Sequence, residues 1–123
     1  MTSLVKVFND HLNEFIVNVS FIFEDKKALM QLKKYIKNLM LINSSKIIKL
    51  WYEYSIKYEK NIMNKDFEYF LNKNYTRDIK EDWMFKYIEH FQKELKYTSN
   101  SNKDKIMSYV LNLTKIAIMY KSN

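Results

Sequence analysis

Glycine, proline and cysteine are all absent from this chain of 123 residues. Glycine supplies the positive-φ corners of tight β-turns, and proline presets their first dihedral angle. A β-sandwich or barrel needs many such corners, so the composition argues against an all-β fold. Phosphate-cradling loops and the dinucleotide-binding fingerprint are glycine-rich and are missing for the same reason. Without cysteine there is no disulfide framework, no thiolate zinc site and no cysteine nucleophile. Arginine is nearly absent too. Arg77 stands against 20 lysines, which removes most of the bidentate guanine readout that groove-binding proteins use.

Long apolar runs are also lacking. Leu39-Met40-Leu41-Ile42 and Ile116-Ala117-Ile118-Met119-Tyr120 are among the longest, whereas a membrane-spanning helix needs about 20 apolar residues. No membrane partner is expected. The opening Met1-Thr2-Ser3-Leu4-Val5-Lys6 has no basic stretch leading into an apolar run, so the reading is of a protein that is not secreted. What is abundant is Lys, Asn, Ile, Tyr, Phe and Met, whose codons are rich in A and T, and an A/T-rich genome accounts for the bias. Residues 1–123 suffice for a single helical domain with one hydrophobic core.

The net charge of +7 is unevenly placed. Residues 1–25 carry −3, residues 61–123 carry +3, and residues 26–60 carry +7 from nine lysines and two acids, Glu53 and Glu59. A basic central segment suits an anionic partner. The lysines that would form it are Lys26, Lys27, Lys33, Lys34, Lys37, Lys46 and Lys49.

Apolar residues at helical spacing predict an all-α fold, a compact antiparallel bundle of about five helices near residues 3–23, 25–42, 44–63, 80–97 and 102–121. Leu4, Phe8, Leu12, Phe15, Val19 and Ile22 repeat in steps of three and four along the first, with Ser3 as its cap. Leu29, Leu32, Ile36 and Leu39 mark the second, with Asp25 as a candidate cap. Ile47, Trp51, Tyr54, Tyr58 and Ile62, widened by Leu50, mark the third, after a break at Asn43-Ser44-Ser45, with Ser44 or Asn43 as its candidate cap. Asp78 to Asp82 opens the fourth, and the polar linker from Thr98 to Asn102 precedes the fifth. Between the third and fourth helices lies a short irregular aromatic segment, residues 64–80, with three aromatics packed into positions 67–70. The predicted core is Phe8, Leu12, Phe15, Val19, Leu29, Leu32, Ile36, Trp51, Tyr54, Tyr58, Ile88, Phe91, Val110, Leu113 and Ala117.

Catalytic chemistry is thin. His11 has Asp10 and Glu14 near it, and His90 has Glu94 one turn on, but a metal centre converges three or four ligands. Both are expected to be surface or boundary histidines, with no metal or other cofactor. Serines and threonines fall in caps and linkers, and no glycine-flanked nucleophile elbow exists. Glu24-Asp25 and Glu81-Asp82 are ordinary helix-start acids. The expectation is a protein that is not an enzyme and has no small-molecule substrate.

Several pieces carry a family resemblance. They are Phe8-Asn9-Asp10-His11-Leu12-Asn13-Glu14-Phe15, Phe23-Glu24-Asp25, Lys46-Ile47-Ile48-Lys49-Leu50-Trp51, Asp66-Phe67-Glu68-Tyr69-Phe70-Leu71-Asn72-Lys73-Asn74-Tyr75 and Asn112-Leu113-Thr114-Lys115. In order and spacing the chain resembles, over nearly its whole length, a family of small helical proteins of the giant viruses, the nucleo-cytoplasmic large DNA viruses. Where that family often carries Pro after the first helix and before the third, and Gly before the acidic-aromatic motif, this chain has Glu24, Ser44 or Ser45, and Lys65. The resemblance implies a viral origin, no established enzymatic activity, and a location in the host cytoplasm at the virus factory or in the virion.

Two functions follow as expectations. The first is a viral structural or interaction protein that binds another viral protein, or itself, through the aromatic motif with Phe67, Tyr69, Phe70, Asn72 and Tyr75. The second is association with DNA or RNA through the lysine-rich face of residues 26–60.

Overall fold

The computed structural model describes residues 3–77, 79–80 and 82–123, and among these every regular element is helical. Helix α1 spans Leu4–Ser20, α2 Lys27–Ile42 and α3 Lys46–Ser55. A 3-10 turn, Ile56–Tyr58, leads into the short α4, Glu59–Met63. Then come α5, Phe67–Asn72, α6, Asp82–Leu95, and α7, Asn100–Ser122. The all-α bundle read from the sequence is the fold.

Local chemistry explains the element ends. The Ser3 hydroxyl accepts the Lys6 N–H at 3.1 Å and starts α1. Ser99 does the same for α7 by accepting the Asn102 N–H at 3.1 Å, so that helix begins inside the stretch expected to be a linker. Two expected caps work differently. Asp25 lies one residue ahead of the helix cap position and accepts the Lys27 N–H. The Asn43 side chain accepts from the Ser45 N–H and hydroxyl, while Ser45 takes the cap position of α3. The expected third helix is interrupted at the 3-10 turn. The expected opening of the fourth at Asp78 and Glu81 falls outside the described residues. Lys65, between α4 and α5, has φ 52°. That left-handed conformation favours glycine.

Helix α7 forms the spine, packing against α1, α3, α4 and α5. The α1–α7 pairing is the most extensive. Tyr109 of α7 stacks on Phe15 with ring centroids 5.0 Å apart and lies 5.0 Å from the His11 ring. Its hydroxyl accepts from the Asn18 amide at 2.6 Å and donates to Glu14 at 3.3 Å. Desolvation, followed by the Glu14 charge and that same hydrogen bond, raises the Tyr109 pKa above its ordinary value. A raised pKa favours the neutral phenol in the folded chain. Its stabilisation is complete below the unfolded phenol's pKa of about 10 and is lost as pH rises through the folded value. Tyr109→Phe is therefore expected to flatten the fall of the urea midpoint above about pH 10, although it lowers the midpoint at neutral pH.

Eight of the predicted core residues are buried: Phe8, Leu12, Val19, Leu29, Ile36, Tyr54, Leu113 and Ala117. Phe15, Leu32, Trp51, Phe91 and Val110 pack against them half-buried. Tyr58 and Ile88, also expected in the core, are half-buried as well. For Ile88 the reason is position: α6 lies at the edge, touching α2 and α5, and buries no side chain completely. It is held by Tyr35 against Trp83, at 4.7 Å, and Phe23 against Phe91, at 5.1 Å.

Candidate functional site

The aromatic motif is turned largely inward. The Asp66 carboxylate accepts the Tyr69 N–H at 3.2 Å and caps α5. Phe67 is buried in the core, and Phe70 packs against it. Phe70 meets Tyr58 and Tyr69 edge-on, and Tyr58 in turn meets Tyr75 edge-on. The Lys73 ammonium sits over Tyr58 at 5.0 Å and over Tyr69 and Tyr75 at 5.7 Å, a cation–π arrangement supplied from within the chain. The Asn72 amide donates to its own helix, at the Glu68 carbonyl. Gln92 of α6, a residue without any sequence signal, donates to the carbonyls of Phe70 and Lys73, both at 2.9 Å. Ion pairs Lys65–Asp104 at 2.5 Å and Lys103–Glu68 at 2.6 Å then tie this corner to α7. They cross a cleft of about 540 Å³ there, so its charged groups are already engaged. The motif fastens α5 to α6 and α7, and Tyr69 is the aromatic it leaves partly open to solvent.

The lysines behave differently. Lys26, Lys27, Lys34, Lys37, Lys46 and Lys49 are exposed and Lys33 is half-buried. Among the described residues none of the seven has an ion-pair partner. Lys26 instead lies over the Phe21 ring at 5.9 Å. Helices α2 and α3 pack on each other, so the lysines cover the outside of two adjoining helices.

Sequence reasoning did not find the apolar residues that share this surface. Met30 is 67% exposed, Leu41 85%, Ile42 83% and Phe21 75%. At 100° per residue, Lys27, Met30, Lys34, Lys37 and Leu41 fall within about 80° of arc on the outer side of α2. Their steps of three, four, three and four mirror the inward stripe of Leu29, Leu32, Ile36 and Leu39 on the other side. Helix α2 thus has two apolar-bearing faces, one in the core and one, interleaved with cations, in water. Exposed apolar residues taken singly mean little; here two of them, Met30 and Leu41, share one helical line with Lys27, Lys34 and Lys37.

A second cluster involves Asp25, His90 and Glu94, each of which brings a ligand-type atom within 4.8 Å of the others. Sequence reasoning placed His90 and Glu94 on one helix face but had no means of adding Asp25.

No family model, curated protein or solved structure matches the chain. Among the described residues no helix is long and apolar enough to cross a membrane.

Proposed function

We propose that this protein is a non-enzymatic interaction module whose outer α2 face docks an acidic, amphipathic segment of another protein. The observation that carries this reading is the stripe Lys27, Met30, Lys34, Lys37 and Leu41. A polyanion such as DNA rewards lysines alone. Leaving Met30, Leu41 and Ile42 in water is unfavourable, and burying one such side chain completely is worth about 1.5–3 kcal/mol. A partner helix with its own apolar stripe flanked by Asp or Glu satisfies both halves of the surface. On the family resemblance, the partner is another viral protein, in the virion or at the replication factory in the host cytoplasm. The aromatic motif serves this surface indirectly, by holding α6 against the rest of the bundle.

The second reading, association with DNA or RNA, rests on the seven lysines, which have no ion-pair partner among the described residues. It predicts a steep loss of affinity with salt, with log K falling by about 0.9 per phosphate neutralised.

One experiment separates the two. Tagged protein is recovered from virus-infected cells with and without nuclease, alongside two variants, Lys27→Glu/Lys34→Glu/Lys37→Glu and Met30→Ser/Leu41→Ser. The apolar variant changes only exposed side chains, so each substitution is expected to alter stability by no more than about 0.5 kcal/mol. The expected result is one protein partner that survives nuclease and is lost with either variant, with at least about tenfold weaker binding when the purified pair is measured. A partner lost to nuclease, retained by the apolar variant and released between about 50 and 200 mM salt establishes the nucleic-acid reading instead.

A further inference from the structure

The α1–α2 connection and α6 meet at a point where aromatic packing dictates what lies beside what. Phe23, buried in the core, sets its ring against Phe91. Two residues after Phe23 comes Asp25, and one residue before Phe91 comes His90. Locking the two rings together therefore brings the carboxylate up to the imidazole. Glu94 lies one helical turn beyond His90, on the same side of α6.

The result is a convergence of three ligand-type atoms, one imidazole nitrogen and two carboxylate oxygens, all within 4.8 Å of one another. Among the described residues no other group of three His, Asp or Glu side chains does this. His90 Nε2 lies 3.9 Å from a Glu94 oxygen, too far for a hydrogen bond. That nitrogen is sealed from water and has no hydrogen-bond partner, and leaving such a group unsatisfied is unfavourable. The Asp25 carboxylate is held from its own side, because one oxygen accepts the Lys27 N–H at 3.0 Å. A carboxylate retains further lone pairs for a second partner.

We infer that Asp25, His90 and Glu94 form a binding site for a divalent first-row metal ion, with Zn²⁺ the best match. One nitrogen and two oxygens are a borderline donor set that suits Zn²⁺ better than the all-oxygen shells of Mg²⁺ and Ca²⁺. Zinc bonds His nitrogen at about 2.0–2.1 Å and carboxylate oxygen at about 2.0–2.2 Å, so two of its ligands stand no more than about 4.3 Å apart. The 3.9 Å separation already satisfies that limit, and the widest separation in the cluster closes with a side-chain adjustment of well under an ångström on each side. Two carboxylates neutralise the ion's charge. A water completes a tetrahedral shell, entering from the Asp25 side, where the cluster is exposed.

The site joins two separate parts of the fold, and one of them is the weakly seated α6. Bound metal would clamp α6 to the α1–α2 connection beside the first turn of the proposed docking face. The inference does not depend on that face having a partner.

The test is a Zn²⁺ titration of the full-length protein by calorimetry, paired with amide hydrogen exchange and NMR of the histidine side chains. One equivalent of Zn²⁺ is expected to bind, to shift the His90 Nε2 resonance but not those of His11, and to slow exchange across α6. Asp25→Asn and His90→Gln are each expected to weaken binding by about 100-fold or more, since even outer-shell changes cost about 10–100-fold. His11→Gln, which alters the other histidine–carboxylate pair, should bind as the unaltered protein does. An unmoved His90 resonance in the unaltered protein overturns the inference without recourse to any variant. So does a His90→Gln protein that binds Zn²⁺ undiminished.

Discussion

Phe8→Ala is expected to lower the unfolding free energy by about 3–5 kcal/mol, the range for removing a buried aromatic ring. Phe8 has no solvent exposure at all and meets Trp51 edge-on at a centroid distance of 5.9 Å. It sits on α1, which touches α2, α3 and α7, so a void there borders most of the bundle. Native domains of this kind hold only about 5–15 kcal/mol in total. The variant is thus expected near the edge of folding at 37 °C, with a urea midpoint far below that of the unaltered protein. Phe8→Leu keeps much of the volume but loses the ring pair, and about 1–2 kcal/mol is expected. Equal midpoints for Phe8→Ala and the parent protein would show that α1 does not seat its ring as described.

The same ring illustrates why so much of the fold was legible. Steps of three and four from Leu4 to Ile22 predict a helix with a single inward stripe, and α1 buries Phe8, Leu12 and Val19 of it, with Ile16 beside them, before ending at Ser20. Helix α1 makes its most extensive pairing with α7, and there periodicity finds most of the buried residues. Helix α3 divides its packing more evenly among α7, α2 and α1. Its buried arc is wider than a stripe and takes in Ile48, which is completely buried yet lies off the Ile47–Trp51–Tyr54 line. The 3-10 turn at Ile56–Tyr58 left no mark in a sequence without glycine or proline to punctuate it. At α7, Thr114 reads as a polar position but is fully buried, since what a hydroxyl can bond to is set by another helix.

The candidate sites divide along similar lines. Lysines announce themselves, and six of the seven named from charge alone are exposed. Met30 and Leu41 do not, because an apolar residue on an amphipathic helix is read as inward by default. The aromatic motif is the opposite case. Aromatics in a polar, irregular stretch look available to a partner, but Phe67 is buried, and Tyr58, Tyr69, Tyr75 and Lys73 are occupied with one another. Asp25 belongs with His90 only through the packing of Phe23 on Phe91, a contact between segments far apart in the chain, which no local spacing encodes.

Thr114→Val is expected to destabilise the protein by about 1–3 kcal/mol, although it replaces a buried polar group with an apolar one of nearly the same shape. The Thr114 hydroxyl accepts from Trp51 Nε1 at 2.9 Å and donates to the Val110 carbonyl at 2.8 Å. Valine removes the acceptor and leaves the indole N–H, a group with no other role, facing the apolar core. Trp51→Phe works from the other side: it deletes the donor, and the threonine hydroxyl keeps its bond to Val110. Combining the two should therefore cost less than the sum of the single changes, by about 0.5 kcal/mol or more in a double-mutant cycle. Thr114→Ser keeps the hydroxyl and loses one methyl, for about 0.8 kcal/mol. The bond between Trp51 and Thr114 joins α3 to α7 and is expected to help set the roll of α3, the helix that carries the exposed Lys46 and Lys49. A strictly additive cycle, with Thr114→Val no worse than Thr114→Ser, would mean that packing alone sets this orientation.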